Sequence, residues 1–293
     1  MTVDTVTPQQ ITVGVLALQG GVIEHISLLQ KAAVQLSSQQ STDSSSTSTP
    51  QFNFIQVRTT AQLSQCDALV IPGGESTTMA IVARRLGLLD PLREFVKQVL
   101  FVAFTRSSLS STHLPLSVQH KPTWGTCAGL VMLASAASAT KQGGQELIGG
   151  LDVKVLRNWY GTQIQSFVGD LRLPFLEEEQ DKKPFRGVFI RAPVVEEIIT
   201  SGSGTAENAV ELGNDEIARL KERQKTEKVQ VLGTYPKPQG TGEGDDIVAV
   251  RQGNVFGTSF HPELTDDVRI HVWWLKQVVE GLRSGGGGVQ AQS

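Results

Sequence analysis

The sequence predicts an α/β protein built on an open, mostly parallel sheet with helices on both faces and an added antiparallel strand region. Three observations carry this. Short apolar runs rich in β-branched residues end in glycine. Stretches of helical period alternate with them through the first half of the chain. In the second half, strand-like runs follow one another without long helices between them. The β-α alternation is the pattern of a parallel sheet covered on both sides, so the arrangement expected is flavodoxin-like.

The elements follow in order. "ITVGVLAL" (Ile11 to Leu18) is a continuous apolar run, as in a strand buried on both faces. After "QGG", "VIEHISLLQKAAVQL" has helical spacing, with Ile23, Ile26, Leu29 and Leu36 near one face. "QFNFIQVR" and "CDALVIPGG" are the second and third strands. "TTMAIVARRLGLLDPLREFVKQVLFVAF" is helical, with a break expected at Asp90-Pro91. "KPTWGT" is the fourth strand, and "AGLVMLASAA" the helix after it. "LDVKVLR", "TQIQSFVGDL" and "FRGVFIRAP" are further strands. "DIVAVRQGNVFGTSF" reads as a hairpin around Gln252-Gly253-Asn254. The last helix, "DDVRIHVWWLKQVVEGL", opens with acidic residues and carries a stripe of Val268, Val272, Leu275 and Val279.

One domain is expected over residues 10–283, with insertions at about 37–51, 105–120 and 200–246 and a disordered Gly-rich tail at 284–293. The 293 residues carry 26 Lys and Arg against 29 Asp and Glu, a net charge of −3, so no basic face for nucleic acid is implied. Two cysteines, Cys66 and Cys127, make no disulfide framework and favour a reducing, cytoplasmic setting. The polar start "MTVDTVTPQQ" is no signal peptide. No apolar stretch is long enough for a transmembrane helix, so no membrane partner is expected.

Cys127 lies in Gly125-Thr126-Cys127-Ala128-Gly129, at a strand-to-helix turn. This is the pattern of a nucleophile elbow with Cys in place of Ser. A thiol nucleophile needs its charge favoured, a base, and donors for a developing oxyanion. The helix start favours thiolate, and the Ala128 N–H is placed to meet the reacting carbonyl oxygen. Of five histidines, His25 and His271 fall in helices, and His113 and His120 in an inserted segment. That leaves His261 as the base, in "SFHPELTDD" past a strand end. Glu263 lies two residues on and points the same way in an extended segment, so it can orient the imidazole. "PGGEST" (Pro72 to Thr77), again between strand and helix, offers backbone donors opposite Ala128. No cluster with metal-ligand spacing is present, and no cofactor is expected.

Together, "GVLALQGGVIEH", "IPGGESTTM", "GTCAGL", "RNWYGTQIQSF", "GVFIRAP", "VAVRQGN" and "TSFHPELTDD" resemble the glutaminase subunits of pyridoxal 5′-phosphate synthases, within the class I glutamine amidotransferases. The resemblance implies hydrolysis of L-glutamine to glutamate and ammonia, with the ammonia passed to a separate synthase subunit. By matched position it makes Cys127 the nucleophile, His261 the general base and acid, and Glu263 its orienter. Gly74 and Ala128 would supply the oxyanion N–H groups. Gly74, Glu75, Ser76, Arg157, Ile190 and Arg191 would contact glutamine, and Gln19 the synthase. Thr162 and Gln165 depart from the residues usual at their positions, Arg and an acid. On the residues alone, Arg157 and Arg191 could equally be ordinary strand-end charges. Two alternatives stay open at this point: another enzyme on the same scaffold, either a glutaminase serving imidazole glycerol phosphate synthesis or a γ-glutamyl hydrolase, and a subunit that docks without hydrolysing.

Overall fold

Alternation along the strands sorts side chains onto two buried faces. In β1 (Gln10–Leu16), Ile11, Val13 and Val15 point to one face. In β3 (Ala68–Ile71), Ala68 and Val70 join them, while Leu69 and Ile71 point to the other. Both faces are covered, which explains why these runs are apolar throughout. The structure, a computed structural model, describes residues 10–40, 50–97, 121–138, 145–160, 166–176, 183–199, 228–237 and 243–286.

On one face α1 (Val22–Gln40) packs against the last helix, α6 (Arg269–Gly286), around Leu29, Leu36, Trp274 and Leu275. On the other lie α2 (Thr60–Leu63), α3 (Ser76–Arg85), α4 (Leu89–Val96) and α5 (Ala128–Leu133), with Met79, Ala83, Leu92 and Leu130 in their shared core. The remaining strands of the main sheet are β2 (Gln51–Val57), β4 (Thr123–Thr126), β5 (Ala134–Ser138), β6 (Leu151–Leu156), β9 (Val194–Ile198), β10 (Gln230–Pro236), β11 (Asp245–Gln252) and β12 (Val255–Thr258). Their order is β2-β1-β3-β4-β12-β11-β9-β6-β5, with β10 paired to β11. The β2-β1-β3-β4-β12 half is parallel, and β12, β11, β9 and β6 pair antiparallel. A separate antiparallel pair joins β7 (Phe167–Leu171) to β8 (Phe185–Phe189). The parallel half has the flavodoxin order. It brings the carboxyl ends of β1, β3, β4 and β12, and the loops that follow them, to one edge.

Several boundaries differ from the sequence reading. The expected helix "AGLVMLASAA" stops at Leu133, and Ala134–Ser138 become β5. Parallel pairing with β6 overrides the helix propensity of alanine there. The break in the long helical stretch falls at Gly87, whose φ is 66°, and not at Asp90-Pro91. Pro91 sits in the first turn of α4, where its missing N–H costs nothing. Ser37–Gln40, read as the start of an insertion, continue α1. Within the expected 200–246 insertion, β10 is a strand of the main sheet. The helix assigned to the end of the chain runs through Gly286. Ile23, placed on the inner stripe of α1, is 60% exposed. The 105–120 insertion lies outside the described residues.

Two glycines set how closely α5 lies on the sheet. A Cβ at Gly129 would stand 2.0 Å from the Ile71 carbonyl oxygen, and one at Gly125 would stand 2.4 Å from the Gly129 carbonyl carbon. These neighbours are backbone and cannot rotate away. Gly129→Ala is therefore expected to cost about 3 kcal/mol or more in chemical denaturation. Gly87→Ala, with nothing within 4 Å, should cost only about 1–2 kcal/mol of left-handed strain. Equal losses would show that α5 can lift off the sheet freely.

Candidate active site

The crossing of α5 fixes Cys127. The chain must turn from β4 into a helix that touches β3, and Cys127 takes φ 49° and ψ −104° to do so. Its N–H donates to the Thr258 carbonyl of β12 at 2.8 Å, and its Sγ lies 4.0 Å from the Ile190 carbonyl oxygen. Only three non-glycine residues among those described have positive φ: Cys127, Asn158 and Arg191. All three line one pocket, together with Gly74, Glu75, Ser76, Ala128 and Ile190. Backbone strain gathered on one concave site is a mark of function.

His261 follows β12, and its own N–H is held by the Val188 carbonyl at 2.8 Å. Its Nδ1 is 2.8 Å from Glu263 Oε1, across the short turn Pro262–Leu264. Gly73 makes room for the ring: a Cβ there would stand 2.3 Å from His261 Cε1 and 3.3 Å from Cys127 Cβ. Burial opposes charge on His261. Hydrogen bonds from the ring to the Cys127 sulfur and the Glu263 carboxylate outweigh it and push the imidazole up to about 10. Burial likewise opposes charge on Glu263, yet His25 and His261 hold its carboxyl well below the usual range.

At the other end of the pocket Glu75 caps α3. Its Oε1 accepts Thr77 N–H at 3.1 Å and its Oε2 accepts Thr78 N–H at 2.7 Å. Against some burial, bonds from Thr78 and Thr77 lower Glu75 to about 2. Arg157 Nη2 donates to the same Oε1 at 3.1 Å. The turn after β6 that carries Arg157 is clamped from behind, since Trp159 and Tyr160 both donate to buried Asp246, at 2.7 and 2.9 Å. Gln19 Oε1 accepts the Glu75 N–H at 3.0 Å, which joins the loop after β1 to the glycine turn.

The structure thus gathers every pocket residue read from the sequence. Two of them differ in detail. The Ser76 hydroxyl is directed to Gln145 at 3.1 Å, and the Arg191 side chain is exposed. Sequence reasoning missed Asn158, Val131 and Pro193 in the lining. It also missed His25 and His271, which the fold places behind Glu263. Helical period had assigned those two to ordinary helix faces, and nothing local marks them. Thr162 and Gln165 lie outside the described residues. Among the described residues no group of His, Cys, Asp and Glu is spaced to hold a metal ion, and no helix is long and apolar enough to cross a membrane.

The sequence profile of the SNO glutamine amidotransferase family matches residues 15–109, 109–236 and 220–280. A protein of Arabidopsis thaliana named probable pyridoxal 5′-phosphate synthase subunit PDX2 is 39% identical over 286 residues, covering 92% of this chain and 86% of that protein. The pyridoxal 5′-phosphate synthase subunit PdxT of Pyrococcus furiosus is 37% identical, covering 92% of this chain and all of its own length (100%). A crystal structure of a glutamine amidotransferase superposes with a TM-score of 0.57 at 31% identity, covering 91% of this chain and 98% of that one.

The elevated His261 has a consequence for stability. Its folded value lies above the ordinary imidazole value of about 6.5. Protonation therefore favours the folded chain. The contribution is complete below about pH 6.5 and is lost as pH rises towards about 10. In urea denaturation, the stability difference between the parent and His261→Gln should be largest near pH 6 and shrink on the way to pH 10. A difference that stays constant or grows over that range would contradict the assignment.

Proposed function

Because the chain belongs to the SNO glutamine amidotransferase family, we propose that it is the glutaminase subunit of a pyridoxal 5′-phosphate synthase. In this reading it hydrolyses L-glutamine to L-glutamate and ammonia and delivers the ammonia to a synthase subunit. The observation that carries the reading is Cys127 on its strained elbow, in a pocket whose far end holds Arg157 and Glu75, with the His261–Glu263 pair beside it across Gly73.

The reaction follows from that layout. The Arg157–Glu75 pair presents one charge of each sign, which suits the carboxylate and ammonium of an amino acid. The side-chain amide then reaches Cys127. His261 takes the proton of the Cys127 thiol as the sulfur attacks the amide carbon, and the oxyanion forms at the N–H groups of Gly74 and Ala128. Each such donor is worth about 10²- to 10³-fold in rate. His261 gives its proton to the leaving nitrogen, so ammonia departs and a γ-glutamyl thioester remains. His261 then takes a proton from water, which attacks the thioester and releases glutamate with the thiol restored. Glu263 holds the Nδ1 side of the ring throughout.

Cys66 is unsuited to this role. It is buried in the core, its thiol donates to the Gln62 carbonyl at 3.3 Å, and burial pushes it up to about 11. Docking of the synthase is assigned to the edge that holds Gln19. Gln19 grips the Glu75 amide, and Gly20 lies so close to Gly73 that a Cβ there would stand 1.8 Å from the Gly73 carbonyl oxygen. A partner that displaces the Gln19 loop would therefore move the oxyanion turn.

With a synthase subunit present, ammonia release from glutamine measures the reading. Cys127→Ala should abolish it, at least about 10³-fold, while the melting temperature stays within a few degrees. Cys66→Ala should leave the rate within about twofold. Hydrolysis that survives in Cys127→Ala, or is lost in a folded Cys66→Ala, would overturn the assignment.

A further inference from the structure

Glu263 has a second oxygen that the triad does not use. The residue is 5% exposed, and its Oε2 has no hydrogen-bond partner that satisfies both distance and angle. The group that faces it is His25 Nε2, at 3.3 Å, from the second turn of α1. His25 is fully enclosed. Its Nδ1 stands 3.2 Å from His271 Nε2 on α6, and its Nε2 is also 3.4 Å from Thr126 Oγ1 on β4, next to Cys127. Trp124 fixes both rings edge-on, with centroids 5.6 Å from His25 and 5.0 Å from His271. A helix core seldom encloses two imidazoles unless they are partnered.

Proton placement follows from the neighbours. The His271 Nδ1 has no partner, so the arrangement that leaves no buried N–H stranded puts the His271 proton on Nε2. That proton is donated to His25 Nδ1. The His25 proton then sits on Nε2 and faces Glu263. The carboxylate thus has an imidazole nitrogen facing each oxygen, His261 Nδ1 hydrogen-bonded to Oε1 at 2.8 Å and His25 Nε2 at 3.3 Å from Oε2. The other ionisable group near it is Glu24, whose Oε2 flanks Gly21 on the exposed side of the same turn.

We propose that His25 is a positioning residue for the hydrolysis: by presenting Nε2 to Glu263 Oε2 it keeps that carboxylate ionised and aimed at His261 Nδ1, and His271 holds His25 in turn. This rests on the glutaminase reading above and adds two residues to the machinery it describes. Burial keeps His271 well below its ordinary value and so neutral.

Two amide variants separate orientation from packing. The amide nitrogen of glutamine reaches the place of Nε2, facing Glu263, whereas that of asparagine reaches only the place of Nδ1, facing His271. Both are measured in the full chain with a synthase subunit. His25→Asn should lower kcat about 10- to 100-fold, the range seen when a partner that orients an active imidazole is lost. KM for glutamine should stay within about twofold, and the acid limb of the kcat profile should move towards neutral pH. His25→Gln should restore most of kcat and return the limb. A second readout needs no glutamine: the pH dependence of Cys127 alkylation by iodoacetamide should shift in His25→Asn and not in His25→Gln. Equal behaviour of the two variants in alkylation would overturn the proposal, as would an unmoved acid limb in His25→Asn. If the parent protein released no ammonia while the alkylation difference held, the glutaminase reading would fail and the role of His25 towards Glu263 would stand.

Discussion

The close crossing of α5 over β3 is the constraint on which the site depends. Gly125 and Gly129 let the helix backbone touch the sheet backbone, and the chain between them can enter that helix only through a strained residue. Cys127 is that residue. Its position is set by main chain on both sides, so the sulfur is delivered to one place without help from its own side-chain contacts. The parallel order of the strands then brings the loop after β3, with Gly73, and the loop after β12, with His261, to the same edge. Loosening the crossing would move the thiol relative to every other group.

Electrostatics completes what the backbone begins. A buried carboxylate is costly unless it is paired on each lone-pair side. Glu263 meets that condition with two imidazoles from different elements, so α1, the turn after β12 and α6 are tied together at one point. The opposite end of the pocket works differently. Glu75 is half-exposed and spends its charge on the first turn of α3 and on Arg157. The buried pair therefore governs the chemistry, and the exposed pair can rearrange around an incoming amino acid.

How much of this was legible in the sequence depends on whether a feature is local. The strands β1 and β3 announced themselves, because burial on both faces makes them largely apolar. The β11–β12 hairpin was equally plain, and its two-residue turn Gly253-Asn254 is as expected. The spacing of glycines around Cys127, and of Glu263 after His261, is local chemistry and could be read. Strands β5, β9 and β10 were not read: "ASAAS" has no strong strand preference, β9 is held between the non-adjacent β6 and β11, and β10 lies in a stretch read as an insertion. His25 and His271 are 246 residues apart, and only the packing of the first helix on the last brings them together. The Asp246 clamp on Trp159 and Tyr160 is hidden for the same reason.

The central claim is that one thiol, Cys127, takes up the side-chain acyl group of an amino acid held in this pocket. The most direct measurement is to treat the protein, with a synthase subunit, with an electrophilic ketone analogue of glutamine and locate the adduct by peptide mass spectrometry. The account predicts a single adduct on the peptide bearing Cys127, suppressed by excess L-glutamine, with Cys66 unmodified. Modification of Cys66 instead, or labelling of Cys127 that glutamine does not suppress, would contradict it.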